Sequence, residues 1–351
     1  MKSRLFSFNR YFIGVLFIFS GLIKANDPNG LSYKMQEFFE AWDFLSLYDY
    51  SLYFSVMMNC FEIVAGVAII IRWQYKLVLR LLLLLIIFFS FLTAYALFSG
   101  KIATCGCFGD CLPLTPLQSF LKDILLLVLI LINLIFDKKA EAVAKTLVPI
   151  YLNLIAFVLS LSLQLYVLKN LPFLDCLPYK VGNNILTEME TPKNAIPDST
   201  SIYFTYKKNG KEINFEQSQF PDDFDDTYQY VSREVVVVKK GNGLLPKISD
   251  FQLKSVSGTD TTLAIFNQEK PYILIYSLYP KNVENWTKIF EKLKAQNKPV
   301  FMVTADITAA KSIFPDLTIL QCDATNLKTA ARVNPTIFEM DKATILKKYV
   351  Y

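Results

Sequence analysis

Five long apolar runs in the first half of this chain constrain its fold more than any other feature. They lie at residues 11–25, 52–71, 77–98, 117–136 and 147–168. All except the first are long enough to cross a hydrocarbon layer of ~30 Å at ~1.5 Å per residue. The first is shorter, and we expect Arg10 and Lys24 to extend from its ends to the two interfaces. With 53% hydrophobic residues, the chain is predicted to be a membrane protein with five spanning helices.

Lysine and arginine residues are concentrated in alternate short loops. They precede the first helix, separate helices two and three, and separate helices four and five: Lys2, Arg4, Arg10; Arg72, Lys76, Arg80; Lys138, Lys139, Lys145. Loops rich in these residues remain in the cytoplasm. We therefore expect an inner-membrane protein with a cytoplasmic N-terminus, whose residues 26–51, 99–116 and everything after Lys169 are periplasmic. The net charge of +5 reflects this topology, so the expected partner is the lipid bilayer and not a nucleic acid.

The first outer loop contains an amphipathic pattern. Apolar residues recur there at helical spacing, with charged residues between them: Leu31, Met35, Phe38, Phe39 and Trp42. We predict a helix that lies at the interface or caps the bundle.

The stretch ATCGCFGDC, residues 103–111, holds half of the six cysteines in a predicted periplasmic loop, where thiols can be oxidised. A disulfide between Cys105 and Cys107 would be strained and easily reduced. Cys111 is either a resolving thiol or an alternative partner of Cys107. The loop therefore either cycles between dithiol and disulfide or holds a static disulfide. Metal binding is the weakest interpretation, because three thiolates lack a clear fourth ligand, although Cys60 is a candidate.

The absence of histidine excludes a Ser-His-Asp triad and a Cys-His nucleophile pair. Any chemistry must therefore come from other groups. Glu62 is a candidate, because a carboxylate within a membrane span is energetically costly and normally faces the bundle interior or water. Two roles are open for Glu62. It either accepts a proton during thiol oxidation or quinone reduction, or forms an interhelical lock with Lys122, beside Asp123.

The second half of the chain is more polar. Residues 170–245 have the proline content and short apolar stretches of a β-rich region. From about residue 246 the pattern predicts strand, helix, strand and then helix, strand, strand, with a final hairpin that turns at Asp341 and Lys342. That order is thioredoxin-like.

Two parts of the sequence resemble known families. FIFSGLIKANDPNG at 17–30, Glu62, and CGCFGD with LTPLQSFLKDILLL at 105–127 together resemble the DoxX/MauE group of membrane proteins over roughly residues 6–137. MauE is the closer branch because of CGCFG. VNPTIFEMD at 333–341 resembles the segment of a TlpA-type thioredoxin domain that carries its cis-proline, here Pro335. Since MauE is associated with a thioredoxin-like partner, MauD, in the maturation of a disulfide-rich periplasmic enzyme, the resemblance implies membrane-linked thiol-disulfide chemistry.

The thioredoxin-like region departs from a redox-active pattern. An active domain needs Cys-x-x-Cys after its central strand, because a helix N-terminus lowers the pKa of the attacking thiol. This chain has Ser277, Leu278, Tyr279 and Pro280 there. The lone Cys322 is more typical of a small core residue.

These observations predict an α-helical membrane bundle, with a four-helix DoxX/MauE-like core plus a fifth spanning helix, followed by a periplasmic α/β thioredoxin-like domain. The predicted domains are 1–137 (bundle), 138–169 (fifth helix), 170–245 (β-rich linker region) and 246–351 (thioredoxin-like). The expected function is thiol-disulfide exchange in the maturation of envelope proteins, with Cys105, Cys107, Cys111 and Glu62 as candidate catalytic residues. The expected partner is a periplasmic client or thioredoxin-like protein, and the one cofactor suggested is a quinone. The alternative is a non-enzymatic membrane-anchored scaffold.

Overall fold

The membrane prediction is confirmed by five helices of the computed structural model that are long and apolar enough to span a bilayer. The structure describes residues 2–100, 102, 106–137, 147–196, 199–239, 241–284 and 286–351. Within this part of the chain the candidate spans are Arg4–Asn26, Leu45–Ile70, Tyr75–Ser99, Pro116–Phe136 and Val148–Lys169. Lys138, Lys139 and Lys145, on which part of the predicted topology depends, lie outside the described residues.

The N-terminal part is helical. Its helices are α1 (Lys2–Asn26), α2 (Pro28–Ala41), α3 (Ser51–Ile70), α4 (Tyr75–Ser99), α5 (Pro116–Phe136) and α6 (Val148–Lys169), with a short 3₁₀ helix (Leu45–Tyr50) before α3. Helix α2 begins where Asp27 accepts a hydrogen bond from the Gly30 amide at 3.0 Å, with Pro28 at its first position. Helix α5 begins with a capping box of Thr115 and Gln118.

Helix α1 is longer than predicted, and its charged residues do not reach the interfaces. It has 25 residues because the helical pattern continues through the polar residues before the apolar run. Arg10 and Lys24 are both buried. The prediction that these two side chains extend to the interfaces is therefore wrong, because α1 packs against other helices along most of its length.

Small residues bring α1 and α3 together. A Cβ atom on Gly66 would lie 2.6 Å from the carbonyl oxygen of Gly14, and a Cβ atom on Gly14 would lie 2.5 Å from Ile70. Backbones approach this closely in membranes where neither helix carries a side chain at the crossing. Around this crossing the buried core contains Ile13, Phe17, Ala65, Ala68 and Ile69.

The chain forms two compact units. One unit comprises Asn183–Phe251 and contains a short helix and a three-stranded antiparallel sheet of order β2-β1-β3: α7 (Ile185–Glu188), β1 (Ser199–Lys208), β2 (Lys211–Glu216) and β3 (Gln229–Lys239). The other unit comprises Met1–Gly182 together with Gln252–Tyr351. The membrane-type helices and the last hundred residues therefore belong to the same compact unit.

The last hundred residues build a five-stranded sheet of order β6-β5-β4-β7-β8. Its elements are α8 (Thr262–Phe266), β4 (Tyr272–Tyr276), α9 (Trp286–Lys294), β5 (Val300–Thr304), α10 (Ile307–Ile313), β6 (Thr318–Gln321), α11 (Ala324–Ala330), β7 (Thr336–Asp341) and β8 (Thr344–Tyr349). Strands β4, β5 and β6 are parallel, whereas β7 is antiparallel to both β4 and β8.

The sequence did not predict the edge strand β6, because its four residues are too few to show a pattern. The final hairpin turns at Lys342, which has a positive φ of 49°. The peptide bond between Asn334 and Pro335 is cis. The thioredoxin-like assignment of residues 246–351 and the predicted four-part division of the chain stay predictions.

Candidate functional site

Glu62 on α3 forms a buried ion pair with Lys24 near the end of α1. Only 1% of the Glu62 side chain and 2% of the Lys24 side chain are exposed. The predicted pairing of Glu62 with Lys122 is wrong, because the close packing of α1 on α3 brings Lys24 to the carboxylate first. The second carboxylate oxygen of Glu62, Oε2, has no hydrogen-bond partner among the described residues. An acceptor atom is therefore left free inside the bundle.

Lys122 pairs with its neighbour on α5. Its ammonium group donates to Asp123 Oδ1 at 2.6 Å, and Asp123 Oδ2 accepts a hydrogen bond from the Thr93 hydroxyl at 3.1 Å. Asp123 is fully buried. The bundle thus contains a second carboxylate-ammonium pair, on the helix that follows the cysteine-rich loop.

Cys107 lies beside both ion pairs. Its thiol is free and half-buried, and its backbone carbonyl accepts a hydrogen bond from the Ser20 hydroxyl at 3.1 Å. Cys107, Ser20, Glu62 and Lys122 line one small cavity. Burial raises the pKa of the Cys107 thiol, while the ammonium groups of Lys122 and Lys24 act in the opposite direction. The site therefore combines a free thiol, nearby ammonium groups, and a carboxylate oxygen without a hydrogen-bond partner among the described residues.

Cys111 is not part of this group. It forms a disulfide with Cys176, 65 residues further along the chain, with their Cα atoms 4.8 Å apart. The pairing with Cys107 and the role of resolving thiol, both considered from the sequence, are not what the structure has, because the segment after α6 brings Cys176 against the loop. Cys105 lies outside the described residues.

Two further cysteines are packed in the interior. Cys60 on α3 accepts hydrogen bonds from Ser160 at 3.5 Å and Gln164 at 3.2 Å, both on α6. Cys322 follows β6 and is buried, and burial raises its pKa to about 12. The environment of Cys322 therefore does not favour a nucleophilic thiolate. Among the described residues, no group of three or more Cys, Asp or Glu side chains is arranged to hold a metal ion.

Arg332, between α11 and β7, connects the C-terminal sheet region to the cysteine-rich loop. Its Nε donates to Asp27 at 2.7 Å, and its Nη2 donates to Asp110 at 2.6 Å. Its backbone carbonyl accepts from Asn29 at 2.7 Å. Burial of this guanidinium opposes its charge, but the Asp27 and Asp110 carboxylates outweigh that effect and raise its pKa.

We call residues 106–111, the described part of CGCFGDC, the cysteine loop.

The segment that replaces Cys-x-x-Cys lies next to the cis-proline. Ser277 is buried after β4, and its hydroxyl donates to the Asn334 side chain at 2.8 Å. The same Asn334 side chain donates to the carbonyl of Tyr279 at 2.9 Å. The two segments are thus tied by polar side chains, with no thiol among residues 277–280.

Helix α2 does more than cap the bundle. Phe38, Trp42 and Met35 line a largely apolar chamber of about 640 Å³, together with side chains of α3 and α4. The chamber also contacts Lys24 and Cys107. The sequence analysis predicted a helix at the interface or over the bundle, but it did not predict that α2 forms one wall of this chamber.

Sequence reasoning missed Lys24 as a site residue, although a signal was present. Ser20 and Lys24 are four residues apart, so they share a face of α1 within an apolar run. That spacing is the expected sign of a polar stripe toward the bundle interior. Arg332 and Cys176 gave no comparable signal, because their partners are distant in the sequence.

Residues 2–136 match the sequence model of a family described as methylamine utilisation protein MauE. This match covers the first four candidate spans and the cysteine loop, so this part of the chain is similar to the MauE family. Residues 200–240 match a domain of unknown function (DUF8463). No curated protein matches the chain, and no solved structure matches it.

Proposed function

We propose that this MauE-type membrane protein exchanges disulfides with envelope proteins during their maturation, and that Cys107 is its redox-active thiol. The observation that carries the proposal is the environment of Cys107, a free thiol beside the Lys24–Glu62 and Lys122–Asp123 pairs. Cys111, in contrast, is held in a disulfide with Cys176. The candidate chemistry is therefore concentrated at the CGC end of the loop.

The proposed exchange uses Cys105 as the second thiol, two residues from Cys107 in the sequence. A client thiolate attacks the Cys105–Cys107 disulfide and forms a mixed disulfide with one loop sulfur. The second client thiolate then displaces that sulfur, so the client gains a disulfide and the loop becomes a dithiol. Two electrons and two protons have moved from client to loop. Glu62, with its free carboxylate oxygen, is the proposed proton acceptor when the loop is oxidised again.

The proposal requires the cysteine loop to face an oxidising compartment. The distribution of Lys and Arg residues supports a periplasmic loop in the inner membrane, with a cytoplasmic N-terminus and a periplasmic C-terminal region. Reporter fusions after Lys76, Gly100, Lys139 and Tyr351 are expected to report inside, outside, inside and outside. A cytoplasmic location for residue 100 would place the loop among reduced thiols and contradict the proposal.

A scaffold is the second candidate function. Two observations favour it: residues 277–280 contain no cysteine, and Arg332 holds the C-terminal sheet region against the cysteine loop through Asp27 and Asp110. In this alternative the thioredoxin-like region binds a client or an assembly partner, and the bundle anchors it without redox chemistry.

Thiol trapping separates the two functions. Cells are quenched with acid, free thiols are labelled before and after reduction, and the occupancy of Cys105, Cys107 and Cys111 is mapped by mass spectrometry. Exchange predicts that Cys107 is found in both oxidation states and that their ratio shifts when respiration is blocked. A Cys105→Ser variant cannot form the loop disulfide, so no exchange can start and client proteins should accumulate with reduced thiols.

The native chain provides its own controls in that experiment. Cys322 should be labelled only after unfolding, since burial raises its pKa to about 12. Cys111 and Cys176 should remain oxidised throughout. A Cys107 that is uniformly reduced or uniformly oxidised, and unresponsive to respiration, would contradict exchange and favour the scaffold.

A further inference from the structure

A large apolar cavity lies between α2, α3 and α4. It has a volume of about 640 Å³, within the range of cavities that hold small organic ligands. Most of its wall is aromatic or aliphatic, and it includes Phe38, Trp42, Met57 and Phe88. Met57 is 70% exposed and Phe88 is also exposed, and both belong to candidate spans. The chamber therefore has a side that faces the bilayer.

The opposite end of the chamber is polar. Lys24 and Thr93 line it and are almost completely buried, and Cys107 lines the same end. The Lys24 ammonium group carries three N–H donors, of which the structure assigns one to Glu62. A ligand that enters from the bilayer would thus meet a buried cationic donor and a thiol at the end of an apolar chamber.

These features favour one kind of occupant. A lipid acyl chain matches the apolar wall but offers nothing to the Lys24 donors. An isoprenoid quinone has an apolar tail for the exposed side, a planar ring for the aromatic wall, and two carbonyl oxygens that accept hydrogen bonds. A thiol at the same end also gives the ring a redox partner.

We propose that the chamber binds an isoprenoid quinone, with its ring at the Lys24, Thr93 and Cys107 end and its tail toward Met57. This inference rests on the proposed function of Cys107 and supplies the electron acceptor that this function needs. The Cys105 and Cys107 thiols lose two protons and two electrons and form one disulfide. The quinone gains both protons and both electrons and becomes the hydroquinone. Lys24 acts as a positioning residue that donates a hydrogen bond to the ring oxygen.

The site is tested with full-length protein in lipid nanodiscs and a photoreactive azido-quinone that carries a decyl tail. Mass spectrometry is expected to find the label near Lys24, Thr93 or Cys107, at the proposed ring end of the chamber. Excess decyl-ubiquinone should abolish labelling, whereas decanol should not. Leu92→Trp, which fills the chamber, should reduce labelling at least about tenfold, which corresponds to ~1.4 kcal/mol.

The matched control is Leu84→Trp, an exposed position on α4 that does not line the chamber and should leave labelling unchanged. Equal competition by decanol would identify a lipid-chain site and overturn the proposal. Thiols that cycle in cells while no quinone labels the chamber would also overturn it, but would leave the proposed exchange function intact. Labelling of the native chamber in a chain whose thiols never cycle would support the site and reject the exchange function.

Discussion

Lys24 and Glu62 show how a single buried pair depends on both of its partners. An ion pair taken out of contact with water or lipid headgroups is stabilised only while each charge is compensated. The Glu62 carboxylate is the compensating charge for Lys24, and both side chains are nearly inaccessible. The Oε2 atom of Glu62 has no hydrogen-bond partner in the described part of the chain, and a role beyond a structural lock depends on this free acceptor.

Replacement of Glu62 tests this distinction. Glu62→Gln leaves the Lys24 ammonium group buried without a countercharge, and we expect the free energy of unfolding to fall by about 3–5 kcal/mol. The double variant Lys24→Met with Glu62→Gln removes both charges and should recover most of that loss. Unfolding is followed by circular dichroism in detergent. If the folded double variant still cycles Cys107 at the native rate, Glu62 is not the proton acceptor.

At the scale of helices, the crossing of α1 and α3 places the site residues. Ser20 and Lys24 on α1 and Glu62 on α3 meet because Gly14 and Gly66 remove side chains from the crossing. A Cβ atom on Gly66 would meet the backbone oxygen of Gly14 at 2.6 Å, which no rotamer change relieves. A Cβ atom on Gly21 would meet the Ile63 side chain at 2.6 Å, and a side chain can move aside.

These two glycines therefore predict a graded effect. Gly66→Ala should destabilise the bundle by about 1–3 kcal/mol, because overpacking at a backbone contact forces the helices apart. Gly21→Ala should cost less, since Ile63 has other rotamers. Thermal unfolding of the two variants in the same detergent makes the comparison. An equal loss of stability in the two variants, or a larger loss in Gly21→Ala, would contradict a direct backbone contact between α1 and α3 at Gly14 and Gly66.

At the scale of the whole molecule, Arg332 links the C-terminal sheet region to the N-terminal helices within one compact unit. Its planar guanidinium meets two carboxylates at once, which a lysine does not do in the same geometry. Asp27 begins α2, and Asp110 belongs to the cysteine loop. The sheet region thus holds the loop and a wall of the apolar chamber through one side chain.

Loss of Arg332 should loosen the cysteine loop. In Arg332→Met, amide hydrogen exchange in residues 106–112 is expected to accelerate roughly tenfold, equivalent to ~1.4 kcal/mol of lost protection. Arg332→Lys should give an intermediate rate, because it retains the charge but not the fork of donors. Arg233→Met removes an exposed arginine of β3 and serves as the control. Unchanged exchange in the loop of Arg332→Met would mean that the Cys111–Cys176 disulfide alone fixes it.

The apolar runs by themselves determined the membrane bundle, because a segment of about twenty apolar residues has few stable environments other than a bilayer. The position of the cysteine loop between two spans, and Glu62 as an unusual buried carboxylate, also followed from local sequence. The lack of a Cys-x-x-Cys motif at Ser277–Pro280 was also evident from local sequence.

Tertiary structure alone decided which of these groups meet. Glu62 pairs with Lys24 and not with Lys122, because the glycine contact sets how closely α1 approaches α3. Cys111 bonds to Cys176, and Arg332 reaches Asp110, across separations of 65 and 222 residues. Contacts between residues so far apart in the sequence produce no periodic pattern that a single sequence can show. Each of these residues could pair with many others until the chain is folded. The apolar chamber likewise exists only once α2, α3 and α4 are assembled around it.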